Sequence, residues 1–275
     1  MMYKFNGKLS ASTPLIMGIL NVTEDSFYDG GRYVSDAAIL KRAAQILNEG
    51  GDIIDIGAMS TRPDAQEIPE NEEITRIVRA VRLLREEFPE AVLSIDTYRA
   101  AVAEAAVEAG ADMINDISGG TFDPEMIPTV GKLQVPYCLM HTTAKPSVMQ
   151  QYTDYQDILG EMLQFFGRQL EILHENSVHD IILDPGFGFG KTLEQNYFLM
   201  NNLEVFLELG YPLLVGISRK SMIYKLLKTT PEHALNGTTV LNTIALMKGA
   251  SILRVHDVKE ASEVRKIVSL PKNSK

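Results

Sequence analysis

Eight short apolar segments, each followed by a polar or charged residue and each alternating with a helix-like stretch, limit what this chain can fold into. They are Leu15–Leu20, Ile53–Ile56, Ala91–Ile95, Met113–Ile114, Val135–Met140, Ile181–Leu183, Leu213–Ile217 and Ile252–Val255. The residues at their C-terminal ends include Asn21, Ser60, Asp96, Asn115, His141, Asp184, Ser218, Lys220 and His256. Taken at Asn21, Asp55, Asp96, Asn115, His141, Asp184, Ser218 and Arg254, the ends lie from 19 residues apart (Asp96 to Asn115) to 43 (His141 to Asp184). That spacing suits repeated β-loop-α units. The segments are near-continuously apolar rather than alternating, as expected of strands covered on both faces. Between them Asp36–Glu49, Glu70–Glu87, Ala100–Ala109 and Ile158–His174 carry apolar residues at the helical period. Gly50-Gly51, Gly110 and Gly210 follow helix-like stretches, where a left-handed cap is wanted. A (β/α)8 barrel gathers eight such strand ends onto one face, the face on which catalytic groups are built. A doubly wound open sheet is the alternative, and eight comparable units favour closure.

Length agrees, because α/β barrels use about 200–250 residues or more as one domain. The expectation is a single TIM-barrel domain over residues 1–275, with residues 1–12 as a lead and 271–275 as a frayed tail. Net charge is −10, so the chain lacks the basic footprint of a nucleic-acid binder, and any anion site must rest on a few placed cations. Cys138 is the only cysteine, which excludes an intrachain disulfide and a Cys-rich zinc cage. Met1–Ser10 has no apolar run of signal-peptide type and no stretch approaches membrane-spanning length, so a cytoplasmic protein without a membrane partner is expected.

The chemistry-bearing residues fall in the loops after the segments. Asn21–Gly31 is polar with Phe27 stranded in it; composition alone reads it as a surface loop of local turns, and an inward-folding ring over a ligand is the alternative. Gly57–Pro63 sets Ser60 and Thr61 beside Arg62, whose donor fork suits phosphate or carboxylate, though a solvated arginine fits equally. Asp96, Asn115 and Asp184 end three different strands. A buried carboxylate is costly unless paired or hydrogen-bonded. Two carboxylates and an amide suit the N–H edge of a polar heterocycle, with Asp116 as a further candidate. Gly190-Lys191-Thr192 suggests a phosphate loop, but that pattern needs glycine where Pro185 stands, so an ATPase is rejected. The glycines of Asp184–Thr192 instead suit close approach of backbone to a ligand, with Phe187 or Phe189 as a wall. Ser218–Ser221 places cations and hydroxyls at a strand end opening a helix, a second anion site. Arg254 and His256 share one strand face by their period-2 spacing and, with Arg62, suit a diphosphate. No histidine pair has metal-ligand spacing and no G-x-S-x-G elbow occurs, so Ser/His/Asp catalysis has no support.

Together the segments Gly18–Gly31, Asp52–Pro63, Ser94–Tyr98, Gly110–Ile117, Asp184–Thr192, Gly216–Ser221 and Arg254–Val258 closely resemble the dihydropteroate synthase family of pterin-binding enzymes. The resemblance runs from Ile16 to about Val268. It implies a (β/α)8 barrel that condenses 6-hydroxymethyl-7,8-dihydropterin diphosphate with 4-aminobenzoate, using Mg²⁺, as a homodimer and a sulfonamide target. It implies Asp96, Asn115, Asp184, Lys220 and Arg254 as pterin contacts, and Asn21, Thr61, Arg62, Arg254 and His256 as diphosphate contacts, with Asn21 also on the metal. Ser26, Phe27, Pro63, Phe189 and Ser221 are implied for aminobenzoate, and Asp25, Asp96 and Lys220 as catalytic positions, with Asp25–Phe27 in a closing loop. The family mechanism implied is dissociation at the pterin methylene carbon followed by attack of the aromatic amine, with no protein nucleophile.

Several positions depart from the family: Glu24 for proline, Ala58-Met59 for Gly-Glu, Asp64 for glycine, Thr142–Lys145 for a Met-rich stretch, and Tyr224 for glycine. They spare the pterin and diphosphate positions and fall near the implied aminobenzoate mouth. A pterin-dependent methyltransferase of related fold would share the aspartates and asparagine but need no Lys220-Ser221 or Arg254/His256 grip. A non-catalytic pterin-binding paralogue would have no use for intact Asn21, Thr61 and His256.

Overall fold

Period-2 rows of side chains organise the fold. A computed structural model describes residues 3–5, 9–11, 13–23, 35–59 and 67–270. Eight parallel strands follow one another around a barrel: β3 Leu15–Asn21, β4 Ile53–Gly57, β5 Val92–Asp96, β6 Met113–Asp116, β7 Tyr137–Met140, β8 Ile181–Asp184, β9 Leu214–Val215 and β10 Ile252–Val255. Their order is β8-β7-β6-β5-β4-β3-β10-β9, and a parallel bridge between Leu183 and Leu213 joins the two ends. The closed sheet is therefore the outcome, and the open doubly wound alternative is not. Within the lead, β1 Tyr3–Phe5 and β2 Leu9–Ala11 pair antiparallel ahead of the barrel.

Helices expected from periodicity form within about a residue of their expected ends: α1 Asp36–Asn48, α2 Glu70–Glu87, α3 Ala100–Glu108 and α5 Ile158–Glu175. The others are α4 Met126–Leu133, α6 Leu193–Asn201, α7 Ser221–Leu226, α8 Leu235–Met247 and α9 Val258–Val268. Caps explain several starts. Ser35 accepts from the Ala38 N–H, Asp157 from that of Gly160, and Thr192 forms a reciprocal capping box with Gln195. Two expected strands come out short. Proline has no N–H for the ladder, so β7 starts only after Pro136. β9 ends at Val215, where Gly216 passes close to Arg254 and Lys220. Gly50, Gly110 and Gly210 all take positive φ as helix or turn stops; the element before Gly210 is a 3₁₀ turn, Leu203–Leu209.

Each strand buries both faces. Outward residues such as Ile16, Ile54, Leu93, Ile114, Leu139, Leu183, Val215 and Leu253 pack under the helices. Inward residues Leu15, Met17, Ile53, Val92, Met113, Cys138, Ile182, Leu214 and Ile252 form a separate apolar plug inside the barrel. Side chains alternate along a strand, so the residue two beyond a plug residue is the next inward one. Those next residues are Ile19, Asp55, Ser94, Asn115, Met140, Asp184, Gly216 and Arg254, with Asp96 one step further on β5. The apolar plug thus ends and a polar floor begins at one level, toward the C-terminal ends of the strands.

Candidate active site

The floor is joined by hydrogen bonds from four strands. Arg254 Nε donates to Asp55 Oδ2 at 2.6 Å and Arg254 Nη2 to Asp96 Oδ2 at 2.5 Å. Asn115 Nδ2 donates to the same Asp55 oxygen at 3.1 Å. Asp55 is fully buried, and its Oδ1 has no partner among the described residues. One guanidinium therefore faces two carboxylates. Burial, reinforced by Asp55 and only partly offset by Arg254, pushes the Asp96 carboxyl up to about 7. The two carboxylates hold the Arg254 guanidinium firmly charged.

A second group rises on the opposite side. Asp184 Oδ1 accepts from the Gly186 N–H at 2.7 Å. Burial raises the Asp184 carboxyl, against the pull of Lys220, Arg254 and Lys191. Lys220 Nζ donates to the Phe187 carbonyl at 2.6 Å and stands 4.6 Å from the centre of the Phe189 ring. Burial lowers Lys220 to about 8. Phe187 is packed in the outer core, so of the two phenylalanines considered as a wall, Phe189 fills that place. With Met140, Tyr98, Ile117 and Met149 it forms a third apolar cluster above the floor.

The rim carries the rest. A Cβ on Gly57 would lie 3.5 Å from Asp96 Cβ and 3.7 Å from Asn21 Oδ1, which sets Asn21 and Asp96 on either side of a side-chain-free strand end. His256 lies at the mouth beside Ser218: its backbone N–H donates to Ser218 Oγ at 3.1 Å, and its Nδ1 is 3.3 Å from the same oxygen. Surrounding protein and Arg254 hold the His256 pKa down at about 4, so the imidazole is neutral at pH 7. Ser221 is the first residue of α7, only six residues long, so its hydroxyl and not a long helix is what it offers.

Some expected residues do other work. Arg219, in the Ser218–Ser221 stretch, takes φ +55° and turns away from the floor to a two-pronged pair with Asp257, at 2.9 and 2.8 Å. Asp116 accepts from Ser118, Gly120 and Tyr137 and has no part in the floor. Thr192 caps α6. Arg254 reaches inward to the floor carboxylates rather than standing free at the rim beside His256. Asp25, Ser26, Phe27, Thr61, Arg62 and Pro63, like the departures Glu24 and Asp64, lie outside the described residues. Asp55 is the residue sequence reasoning missed. It stands two places after plug residue Ile53, as Asp184 stands after Ile182 and Arg254 after Ile252, and aligning the plug residues would have found it.

Two departures meet at the mouth. Lys145 Nζ and the Arg99 guanidinium each lie 5.6 Å from the centre of the Tyr98 ring, whose hydroxyl is 3.9 Å from Met59 Sδ. Lys145 also pairs with Glu67 at 3.5 Å, linking the loops after β4 and β7. A cavity of about 410 Å³ opens between the β7 loop and α5, beside His141, Thr143, Tyr155 and Arg168; no floor residue lines it.

The arrangement offers acceptors, an amide and two cations at a barrel mouth, over an apolar plug that excludes water. Residues 17–256 match the family of pterin binding enzymes. The chain belongs to that family, among its dihydropteroate synthases. It is 45% identical to the dihydropteroate synthase of Synechocystis over 92% of this chain and 88% of that one. It is 40% identical to that of Escherichia coli K12, covering 97% and 95%. Among solved structures, the Yersinia pestis dihydropteroate synthase with a sulfonamide drug is 42% identical and superposes at TM-score 0.91, covering 98% of each chain. The Xanthomonas albilineans enzyme with 4-aminobenzoic acid is 34% identical, at TM-score 0.89, covering 98% and 99%.

The floor generates a stability prediction. Asp55→Ala leaves Asn115 and one arm of Arg254 without their buried acceptor, so it should cost about 3 kcal/mol. Asp55→Asn, which keeps an acceptor and removes the repulsion on Asp96, should cost clearly less. Urea denaturation of the two variants checks the order; equal losses would mean that the charge at Asp55 and not its hydrogen bonds matters.

Proposed function

We propose that this chain, acting in the cytoplasm as a homodimer, condenses 6-hydroxymethyl-7,8-dihydropterin diphosphate with 4-aminobenzoate to give 7,8-dihydropteroate and diphosphate, with Mg²⁺ on the diphosphate. The observation that carries the reading is the convergence of Asp96, Asn115, Asp184, Lys220 and Arg254 on one floor. A pterin ring edge offers N–H donors and a carbonyl oxygen. Carboxylates at Asp96 and Asp184 accept from such donors, while Asn115 and Lys220 suit the acceptors.

The chemistry fits the charges. The carbon–oxygen bond to diphosphate breaks with its electron pair leaving on oxygen, and positive charge spreads from the methylene carbon into the ring. Asp96 is placed to favour that charge. The aminobenzoate nitrogen then attacks with its lone pair and releases a proton. Neutral His256 and Asn21 stand at the rim where the diphosphate departs. Phe189 and Ser221 suit the aminobenzoate ring and carboxylate, and Ser26, Phe27, Pro63, Thr61, Arg62 and Asp25 complete the proposal from outside the described residues.

Mg²⁺ fits this rim in one way. Among the described residues no group of three or more histidine, cysteine or acidic side chains forms a cage. A hard cation takes oxygen ligands and is often held by one or two protein groups plus substrate phosphates. Asn21 Oδ1 is the protein oxygen that would hold it, and the ion would neutralise charge on the leaving diphosphate.

For the homodimer, α6, α7 and α8 expose Phe198, Leu226, Leu227, Val240 and Met247 on neighbouring helices. Apolar exposure gathered on adjoining helices suits an interface, and a second copy with the same face would cover it in a two-fold pair.

The direct test supplies the purified chain with both substrates. Dihydropteroate and diphosphate should appear together and stop on adding EDTA; binding of the pterin without turnover would favour the non-catalytic paralogue, and turnover undiminished in EDTA would remove the metal.

Affinity for 6-hydroxymethylpterin should follow a bell in pH. Its acid limb should lie near 7, because Asp96 gives its stronger, charge-assisted acceptor only when ionised and loses that form as pH falls; the alkaline limb near 8 reflects loss of the Lys220 proton. Asp96→Asn should flatten the acid limb in calorimetric titrations. An unchanged limb in that variant would assign it elsewhere.

Sedimentation should give a dimer mass for the unaltered chain and a monomer for Val240→Lys/Met247→Glu. A monomer in both would remove the dimer from the proposal.

A further inference from the structure

Lys191 is a buried cation that the proposed chemistry does not use. It is 3% exposed and lies under the loop joining β8 to α6. Its ammonium has three protons and meets three acceptors: the Phe189 carbonyl at 2.9 Å, the Gly186 carbonyl at 3.0 Å and His141 Nδ1 at 3.1 Å. The His141 carbonyl is a more distant fourth at 3.4 Å. His141 is itself buried at the end of β7, edge-on to Phe165 with ring centres 5.0 Å apart. Burial and the adjoining Lys191 charge hold its pKa well below the ordinary value. A neutral imidazole that accepts at Nδ1 carries its proton on Nε2.

The loop above Lys191 is the wall of the proposed pterin pocket. Gly186 N–H holds Asp184 Oδ1, the Phe187 carbonyl holds Lys220, and the Phe189 ring lies beneath the Lys220 ammonium. Lys191 grips that loop from the other side, at the carbonyls of the residues on either side of this contact, 186 and 189. The loop also packs without slack on the β7 loop: a Cβ at Gly186 would lie 2.0 Å from the His141 carbonyl oxygen, and one at Gly190 2.0 Å from Thr143 Oγ1. Both glycines have positive φ. The loop cannot sink, and Lys191 keeps it from lifting.

We propose that Lys191, braced by His141, is a positioning residue for the pterin site: it fixes the loop that carries Phe189 and holds Asp184 through the Gly186 N–H, and it sets an ammonium behind Asp184. The inference rests on the reading of the floor as a pterin site. Groups that orient metal-binding side chains without touching the metal typically matter by ten- to a hundredfold, and an effect at the lower end of that range is expected here.

Calorimetric binding of 6-hydroxymethylpterin tests it. Lys191→Met, which fills the same space without donors, should weaken binding about tenfold. His141→Leu removes the acceptor and should weaken binding to a similar degree, whereas His141→Asn, whose Oδ1 replaces Nδ1, should restore most of the affinity. The double variant Lys191→Met/His141→Leu should be no weaker than either single one, since both break the same link. Should Lys191→Met fail to fold, the contrast between leucine and asparagine at 141 decides alone. Unchanged affinity in Lys191→Met, or equal loss in both His141 variants, would overturn the proposal while leaving the pterin site standing. Failure of the unaltered chain to bind the pterin would instead remove the functional reading, and this inference with it.

Discussion

Arg254 extends from β10, past β3, to Asp55 on β4 and Asp96 on β5, and so ties strands that share no backbone hydrogen bond with its own. The contact has a price in like-charge repulsion. Two carboxylates meet one guanidinium in a largely desolvated place, and burial together with the Asp55 charge raises the Asp96 carboxyl toward neutrality. A pair with matched charge would be more stable and chemically inert. The mismatch leaves an acceptor whose protonation is near balance at the pH of the cell, which is the property a group needs if it is to respond to charge developing on a bound ring.

That floor depends on the plug beneath it. Leu15, Met17, Ile53, Val92, Met113, Cys138, Ile182, Leu214 and Ile252 close the barrel interior, so the inward polar groups above them meet solvent from the mouth alone. The sequence carried both halves of this. Continuous apolar runs ending in polar residues made the closed barrel, its strand ends and the four most regular helices legible, because strand burial on two faces and helical period are local properties. Asp96, Asn115 and Asp184 were legible as polar strand ends for the same reason, whereas Arg254, read locally as a rim cation, turns inward to the floor carboxylates. Asp55 was not, because it lies inside an apolar run, Ile53–Ile56, and its meaning depends on register with strands far away in sequence. Arg219 misled because it neighbours Lys220; a positive φ and a distant Asp257 decide its direction, and neither is visible locally.

The loop after β8 shows the same limit in another form. Gly190-Lys191-Thr192 looks like a phosphate grip in one dimension. In three, Thr192 caps a helix and Lys191 points beneath the loop. The departures at Met59 and Lys145 are likewise scattered in sequence and meet around Tyr98. They alter the apolar and cationic surface beside Phe189 and leave the floor intact.

Charge balance joins these observations. Asp55, Asp96 and Asp184 face Arg254 and Lys220 at the floor, three negative groups against two positive. Isolated charge is expensive in a dry interior, and an unmatched carboxylate would be met by protonation. Lys191, hidden under the β8 loop, sets a basic group behind Asp184 without occupying ligand space, and burial lowers it to about 7. Had that cation stood at the mouth it would have competed with a bound ring for Asp184. Placed behind the loop, it leaves the acceptor face of Asp184 free, and the three glycines at 186, 188 and 190 let the backbone fold closely enough over it for this to work. The glycine-rich stretch meets the Lys191 ammonium on one side and that of Lys220 on the other, so its composition reflects two close approaches rather than one.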